Sequence, residues 1–171
     1  MKTLMKLRGL RDPGEVIDYL YPSLGNLRDP RDMRGMLPAC ERTACAIEKG
    51  ETIGVFTDYD VDGVCSAALL HRFFLRIGAP SPVVFIPDRT RDGYGLNARG
   101  IAALHAQGVS LLITADCGSN AYDEVEQAKE LGIDVIITDH HEPGQHLPRA
   151  LALINPKQPG CPFGDEDLCG A

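Results

Sequence analysis

The chain has 171 residues, of which 44% are hydrophobic and 24% are charged, with a net charge of −7 at pH 7. These values predict one folded domain and exclude a disordered chain. No apolar run approaches the roughly 18 residues that a membrane span needs, and the N-terminus lacks the apolar core of a signal peptide, so we expect no membrane contact and a cytoplasmic protein.

The first region in chain order is an N-terminal arm, predicted over residues 1–38. Its stretch "YPSLGNLRDPRDMRGMLP" (21–38) is rich in proline, glycine and charge, which is typical of irregular structure. A short helix, "ACERTACAIEKG" (39–50), then leads into the first strand. We therefore divide the chain into an irregular arm and a core that begins at residue 39.

Five apolar runs rich in β-branched residues predict strands in the core. The runs are continuous rather than alternating, as expected for strands buried on both faces of a parallel sheet. They are "TIGVFT" (52–57), "PVVFIP" (82–87), "SLLITA" (110–115), "DVIITD" (134–139) and "LALIN" (151–155).

Helical patterns separate the first four strands. They cover residues 63–78, 97–108 and 119–132, each ends in glycine, and we expect Ser119 or Asn120 to cap the last one. Strands that alternate with helices predict an α/β fold, with a parallel β-sheet of about five strands flanked by helices and joined by right-handed crossovers.

Three aspartates directly follow the first strand, in "DYDVDG" (58–63), and we expect Gly63 to let the chain turn into the next helix. This spacing allows a solvated turn, a calcium loop or a metal site. A calcium-binding EF-hand needs glutamate at the twelfth position and a preceding helix, whereas this chain has Leu69 there and a strand before the loop. Calcium is therefore excluded.

Other polar residues also follow strands. Asp88 follows the second strand, Asp116 the third, and "DHH" (139–141) the fourth. Because the carboxyl ends of parallel strands meet at one edge of the sheet, we expect these side chains to share one crevice with the first aspartates. Taken alone, Asp116 could instead cap the following helix, and a histidine is often structural.

Several carboxylates in one crevice repel one another unless cations neutralise them. Carboxylate and imidazole ligands suit Mn²⁺ well, and Mg²⁺ or Zn²⁺ less distinctively. The ligands suffice for two ions that share a bridging carboxylate, an arrangement that supports phosphoryl transfer. A net charge of −7 argues against a nucleic-acid substrate, because proteins that bind nucleic acids usually have a basic surface. Bound cations would neutralise part of the acidic cluster and so weaken this argument.

Other site classes lack their motifs. "HEPGQH" (141–146) has the wrong spacing for a zinc protease and contains Pro143 and Gly144, and the chain has neither G-x-G-x-x-G nor G-x-x-x-x-G-K. The six cysteines include no C-x-x-C pair, so free thiols are favoured over disulfides or structural zinc.

Four motifs in order, "DYDVDG", "IPDRTRDGYGLN", "DCGSN" and "TDHHEP", resemble the DHH phosphoesterase superfamily. The lead-in "YPSLGNLRDPRDM" and the segment "LALINPKQPGCPF" to "LCGA" resemble its RecJ-type exonucleases, so the resemblance spans nearly the whole chain. It implies a DHH domain that acts as a metal-dependent 5′-3′ exonuclease on single-stranded DNA in repair and recombination.

The resemblance also implies roles for single residues. Asp60 and Asp62 would bind different metal ions, and Asp58 would be a ligand or lie directly behind the ligands. Asp116 would bridge two Mn²⁺ or Mg²⁺ ions, and His140 would be a further ligand. His141 would contact the scissile phosphate or a metal, and Asp139 would orient both histidines. Substrate phosphate would contact Arg89, Gly93 and Tyr94, although Arg89 could equally form a surface ion pair.

The family pattern further implies a helicase and a single-strand-binding protein as partners. It includes one more metal-binding aspartate, a second DHH-associated domain and an oligonucleotide-binding domain, which we expect beyond Ala171. On that expectation residues 39–171 are a truncated catalytic core that binds metal weakly. Alternatives within the superfamily are an oligoribonuclease, a cyclic-dinucleotide phosphodiesterase or a pyrophosphatase, and outside enzymes an inactive scaffold fragment.

Overall fold

A computed structural model describes residues 2–171. Its centre is a five-stranded sheet in which every neighbouring pair is parallel. The strands are β1 (Thr52–Thr57), β2 (Val83–Phe85), β3 (Val109–Ala115), β4 (Asp134–Thr138) and β5 (Ala152–Ile154). Their spatial order is β2-β1-β3-β4-β5, which confirms the predicted fold class.

The helices are α1 (Lys2–Leu7), α2 (Pro13–Leu20), α3 (Met36–Lys49), α4 (Val61–Arg76), α5 (Ala98–His105) and α6 (Tyr122–Glu130). The last four of them cover both faces of the sheet. Helices α3 and α4 pack on one face, where Phe74 meets Ile113 and Ile136. Helices α5 and α6 pack on the other face, where Ile101 and Val125 join the core. Burial on both faces explains why the strand sequences are continuously apolar.

Helix α5 approaches the sheet closely at one glycine. A methyl group on Gly100 would overlap the ring of Phe56 and would lie 3.0 Å from the ring of Phe85. These two rings stack with centroids 5.2 Å apart. The absence of a side chain at Gly100 therefore sets the distance between α5 and the first two strands.

The N-terminal arm has more local structure than the predicted irregular segment. It contains α1, α2 and two short 3₁₀ turns at Leu24–Asn26 and Pro30–Asp32. Helix α2 begins with a capping box, in which the side chains of Asp12 and Glu15 satisfy free backbone N–H groups. Such short helices depend on local caps rather than on an apolar period, so the proline- and glycine-rich composition concealed them.

The carboxyl ends of the strands continue the sheet by one residue each. The backbone N–H of Asp116 donates to Thr138 O, and that of Asp139 donates to Ile154 O, each at 3.0 Å. This pairing fixes both aspartates at the same edge, as the sequence predicted. Across residues 2–171, no helix has the length and apolar character needed to cross a membrane.

Candidate metal centre

The first part of the site is the loop between β1 and α4. Asp58 is buried directly after β1, and the exposed Asp60 caps α4 by accepting a hydrogen bond from Gly63 N at 3.1 Å. Gly63 was predicted to turn the chain into the helix. It lies instead within the first turn of α4, where a methyl group would overlap the Asp58 carbonyl. Glycine here lets the helix sit directly on the backbone of Asp58.

Asp116 stands at the centre of the edge, one residue beyond β3. Its backbone has φ +62°, and within residues 2–171 it is the only residue other than glycine with a positive φ. Aspartate tolerates this conformation better than most side chains do. The side chain is 1% exposed, and neither carboxylate oxygen has a hydrogen-bond partner in the described chain. A buried carboxylate without partners is unfavourable unless a cation reaches it.

Asp139 holds both histidines after β4. Its Oδ1 accepts hydrogen bonds from the N–H groups of His140 and His141 and lies 2.7 Å from His141 Nδ1. Its Oδ2 accepts a hydrogen bond from Ser119 N at 2.8 Å. Because a carboxylate accepts, His141 Nδ1 carries the proton and Nε2 is left with a lone pair.

His140 faces Asp116 with its other ring nitrogen. Nδ1 lies 2.7 Å from the carbonyl oxygen of Leu168, so Nδ1 is the protonated nitrogen. Nε2 then lies 3.1 Å from Asp116 Oδ1, outside hydrogen-bond geometry. In neutral imidazole both facing atoms carry lone pairs, which is the arrangement that a cation between them would stabilise.

An aromatic cluster flanks the histidines. The Tyr94 hydroxyl lies 3.1 Å from His141 Nε2 and can donate to it, and the ring of Tyr94 meets that of Tyr59 edge-on at 6.3 Å. The guanidinium of Arg89 lies over the Tyr59 ring, 5.4 Å from its centroid. Gly93 and Gly95 flank Tyr94 with φ of +76° and +80°, so the loop turns sharply on both sides of the tyrosine.

Two groups of side chains could each hold a metal ion. One consists of Asp58, Asp60 and Asp116, the other of Asp116, His140 and His141, and within each group the ligand atoms lie within 4.8 Å of one another. Asp116 belongs to both. The geometry therefore offers two adjacent ion positions with one shared carboxylate.

Asp62 is a predicted ligand that belongs to neither of these two groups. Its Oδ2 accepts a hydrogen bond from Gly170 N at 2.8 Å. Gly170 also lies against the carboxylate of Asp116. Asp62 is thus linked to Asp116 through Gly170, and its assignment as a ligand stays a prediction.

Burial and mutual repulsion shift the pKa values of these carboxyl groups. Burial, followed by the charge of Asp60, raises the pKa of Asp116 from 3.8 to about 6. Burial also raises the pKa of Asp58, while the hydrogen bond from Gly63 N lowers the pKa of Asp60. For Asp139, burial is opposed by hydrogen bonds from Ser119 and His141, which together lower its pKa. The shared carboxyl group is thus the one that most resists ionisation without a cation.

A cavity of about 230 Å³ adjoins His141. Its wall includes Tyr94, Ser119, Asn120, Asp139 and His141. Ser119 and Asn120 were predicted to cap α6, but Ala121 occupies that position and provides no side-chain cap. Their polar groups bond instead toward Asp139 and Glu142, which shapes the wall of the cavity.

Other predicted and unpredicted residues complete the surroundings. Asp88 forms a local turn and accepts hydrogen bonds from Thr90 and Arg91, away from both metal groups. Sequence reasoning missed Tyr59, although its place between two of the aspartates was a signal. It also missed Asn155, which is fully buried and donates to Ser119 Oγ and His141 O at 2.8 Å each. No pattern marks such a residue.

Comparison with known proteins adds sequence relatives to this geometry. The model of the DHH family, N-terminal domain, matches residues 52–171. The single-stranded-DNA-specific exonuclease RecJ of Bacillus subtilis (strain 168) is 40% identical over 168 residues, which cover 98% of this chain and 21% of that protein. The RecJ of Escherichia coli (strain K12) is 39% identical over 170 residues, covering 99% of this chain and 29% of that protein.

Solved structures give the same neighbours. RecJ from Thermus thermophilus in complex with Mn²⁺ has a TM-score of 0.71 and 29% identity, and the match covers 97% of this chain and 22% of that one. A crystal structure of exonuclease RecJ bound to manganese has a TM-score of 0.68 and 34% identity, covering 75% and 32%. The present chain therefore spans less than a third of the length of these relatives.

Proposed function

Because the chain belongs to the DHH family, we propose that it carries the metal centre of a phosphodiesterase that hydrolyses single-stranded DNA from the 5′ end. Residues 39–171 form the catalytic core in this proposal, and residues 1–38 form an arm packed on it. Arg28 and Arg34 attach the arm by donating hydrogen bonds to the carbonyl oxygens of Phe163 and Pro159.

The observation that supports a two-ion centre best is the position of Asp116. Its carboxylate is buried, lacks hydrogen-bond partners within the described residues, and belongs to both groups of potential ligands. Oxygen and imidazole ligands together suit Mn²⁺, with Mg²⁺ as the alternative. The manganese in the RecJ structures supports the same choice of ion.

The ligands divide into two sets around the shared Asp116. Asp58 and Asp60 would hold one ion, His140 and His141 would hold the other, and Asp116 would be shared between them. When bound, two such ions stabilise the charge of the reacting phosphate and lower the pKa of a water molecule. His141 also contacts the scissile phosphate, so that a single residue links the metal centre to the substrate.

The protein groups around the ions orient the site and receive the DNA. Asp139 keeps the proton of His141 on Nδ1 and holds the backbone of both histidines. Arg89 supplies positive charge at the mouth of the crevice, and Gly93 and Tyr94 form the turn that meets the substrate backbone. Tyr59 offers an aromatic surface beside Arg89 on which a base can stack.

The substrate and setting rest on likeness to the RecJ proteins, whose names specify single-stranded DNA. We extend the proposal to a cytoplasmic role in DNA repair and recombination, together with a helicase and a single-strand-binding protein. Since the relatives are several times longer, these statements concern the whole protein in which such a core works.

The test combines metal binding with substrate choice. Isothermal titration of the chain with MnCl₂ should show binding that Asp116→Ala removes, and Asp32→Ala, which changes an exposed aspartate in the arm, should bind like the unsubstituted chain. A panel of 5′-labelled single-stranded DNA, short RNA, cyclic dinucleotide and pyrophosphate then identifies the substrate. Mn²⁺ binding retained by Asp116→Ala would refute the shared-ligand assignment, and preference for another substrate would refute the DNA specificity.

A further inference from the structure

Residues Leu168–Gly170, which we call the strap, cross the candidate metal centre from one side to the other. At one end the Leu168 carbonyl oxygen contacts His140 Nδ1 at 2.7 Å. At the other end Gly170 N donates to Asp62 Oδ2 at 2.8 Å, and Ser66 Oγ donates to Gly170 O at 3.0 Å. The strap therefore ties the segment after β4 to helix α4.

The contact at Leu168 determines which nitrogen of His140 can bind a metal. A carbonyl oxygen only accepts, so the proton must reside on Nδ1. Nε2, which lies 3.1 Å from Asp116 Oδ1, is then the nitrogen with the free lone pair. Histidine ligands of metals commonly donate their other N–H to a carbonyl or carboxylate, which fixes both tautomer and ring orientation.

The contact at Gly170 brings the backbone against the shared carboxylate. A methyl group on Gly170 would overlap Asp116 Oδ1 and would lie 2.6 Å from Asp116 Cγ. Gly170 does not have positive φ, so glycine is needed here for space and not for backbone conformation. The strap closes one side of Asp116 and limits where that carboxylate can point.

The anchors of the strap lie on the helix that presents Asp60. Asp62 and Ser66 belong to the first turns of α4, and Asp60 is the cap of the same helix. A shift of Gly170 would therefore act on α4, Asp116 and His140 together. These are three parts of the site that come from the ends of three different strands.

From these contacts we infer that the strap is a positioning element of the metal centre. It fixes His140 with Nε2 toward the ligands and holds Asp116 against its first-strand partners, and Gly170 is the residue that permits this close approach. The inference rests on the proposed function, since it assigns Asp116 and His140 as ligands. It gives Asp62 a task beside its predicted one as a ligand, since its carboxylate also anchors the strap.

The decisive experiment measures Mn²⁺ affinity of the full chain by isothermal titration. Gly170→Ala should weaken binding roughly 10- to 100-fold, as is usual when groups that orient ligands are disturbed. The matched control is Gly25→Ala, where the nearest atom to the new methyl group is Ser23 Oγ at 3.6 Å, and its affinity should equal that of the unsubstituted chain. In EDTA the unfolding midpoints of the unsubstituted chain and both variants should be similar. A variant whose only defect is a general loss of stability would instead have a lower midpoint.

Two further measurements keep the test decisive. If Gly170→Ala unfolds in EDTA, Ser66→Ala decides instead, since it removes one hydrogen bond to the strap and should weaken Mn²⁺ binding by about 2- to 10-fold. ¹⁵N-histidine NMR of the metal-free chain should show the Nδ1–H tautomer of His140, and a mixture of tautomers in Gly170→Ala. A general loss of stability would not change the tautomer of His140, whereas loss of the contact with the Leu168 carbonyl oxygen would.

The possible results separate the two proposals. If the unsubstituted chain binds Mn²⁺ and the strap variant (Gly170→Ala, or Ser66→Ala where that variant decides) binds it with equal affinity, the inference is overturned and the proposed function stays intact. Absence of binding by the unsubstituted chain overturns the proposed function and, with it, the inference. Binding that weakens in the strap variant and not in Gly25→Ala supports both.

Discussion

Replacing Asp116 by asparagine should stabilise the metal-free protein at neutral pH. Both oxygens of the buried carboxylate lack hydrogen-bond partners in residues 2–171, and Asp60 adds a second negative charge nearby. The pKa of Asp116 rises from 3.8 to about 6. An acid whose pKa is raised on folding binds more protons in the folded state, so stability decreases as pH rises through this interval.

The size of the effect follows from this difference in pKa. Each pKa unit corresponds to about 1.4 kcal/mol, which gives roughly 3 kcal/mol for complete ionisation. Solvent on the open side of the crevice screens part of the repulsion. We therefore expect Asp116→Asn to raise the free energy of unfolding by about 1–2 kcal/mol at pH 7.5 in EDTA, and to have almost no effect near pH 4.

Urea unfolding in EDTA at several pH values between 4 and 7.5 measures this difference directly. Asp32→Asn is the matched control, because Asp32 is exposed in the arm, and its difference from the unsubstituted chain should not vary with pH. With Mn²⁺ present the order should reverse, since metal stabilises only the protein that binds it. A difference for Asp116→Asn that stays constant from pH 4 to 7.5 would refute the reasoning.

Three further substitutions test the surrounding structure. Gly100→Ala should lower the free energy of unfolding by about 1–3 kcal/mol, because the new methyl group overlaps Phe56, and urea unfolding beside the exposed Gly25→Ala control checks this. Asn155→Ala should lower it by about 1–3 kcal/mol, as it leaves the buried Ser119 Oγ and the partly buried His141 O without their donor; an unchanged urea midpoint would contradict the role of that amide. Asp92→Asn should lower the thermal midpoint at pH 7, because the Arg99 guanidinium holds the pKa of the Asp92 carboxyl below its usual range. That stabilisation is present at neutral pH and decreases progressively as pH falls below about 4, so scanning calorimetry of both proteins should show the gap narrowing between pH 4 and pH 2, and a gap that stays constant over this interval would argue against the ion pair.

The strand pattern predicted the fold because burial on both faces leaves a plain signal in sequence. Each of the five runs became a strand, and the rule that parallel strands end at one edge placed Asp58, Asp116 and Asp139 together. These conclusions depend on backbone direction alone. They required no knowledge of how an individual side chain is oriented.

The failures concern side-chain direction and close approach. Asp62 was expected only as a metal ligand, and its hydrogen bond from Gly170 N was not predicted. Gly63 was expected to bend the chain and instead makes room for the Asp58 carbonyl. Ser119 was expected to cap a helix, but its Oγ accepts a hydrogen bond from Asn155 Nδ2. In each case a tertiary contact competed with the local preference, and no single-sequence pattern records such contacts.

The distance in sequence between the aspartates after β1 and the strap has a consequence for biosynthesis. Asp58 and Asp60 leave the ribosome about 110 residues before Gly170, an interval of roughly 5–20 s at ordinary rates of translation. During that time the Leu168 carbonyl oxygen and the Gly170 N–H group are not yet available to His140 and Asp62. If the proposed metal centre forms, its completion should therefore come late in synthesis, after β5 and the strap have joined the edge of the sheet.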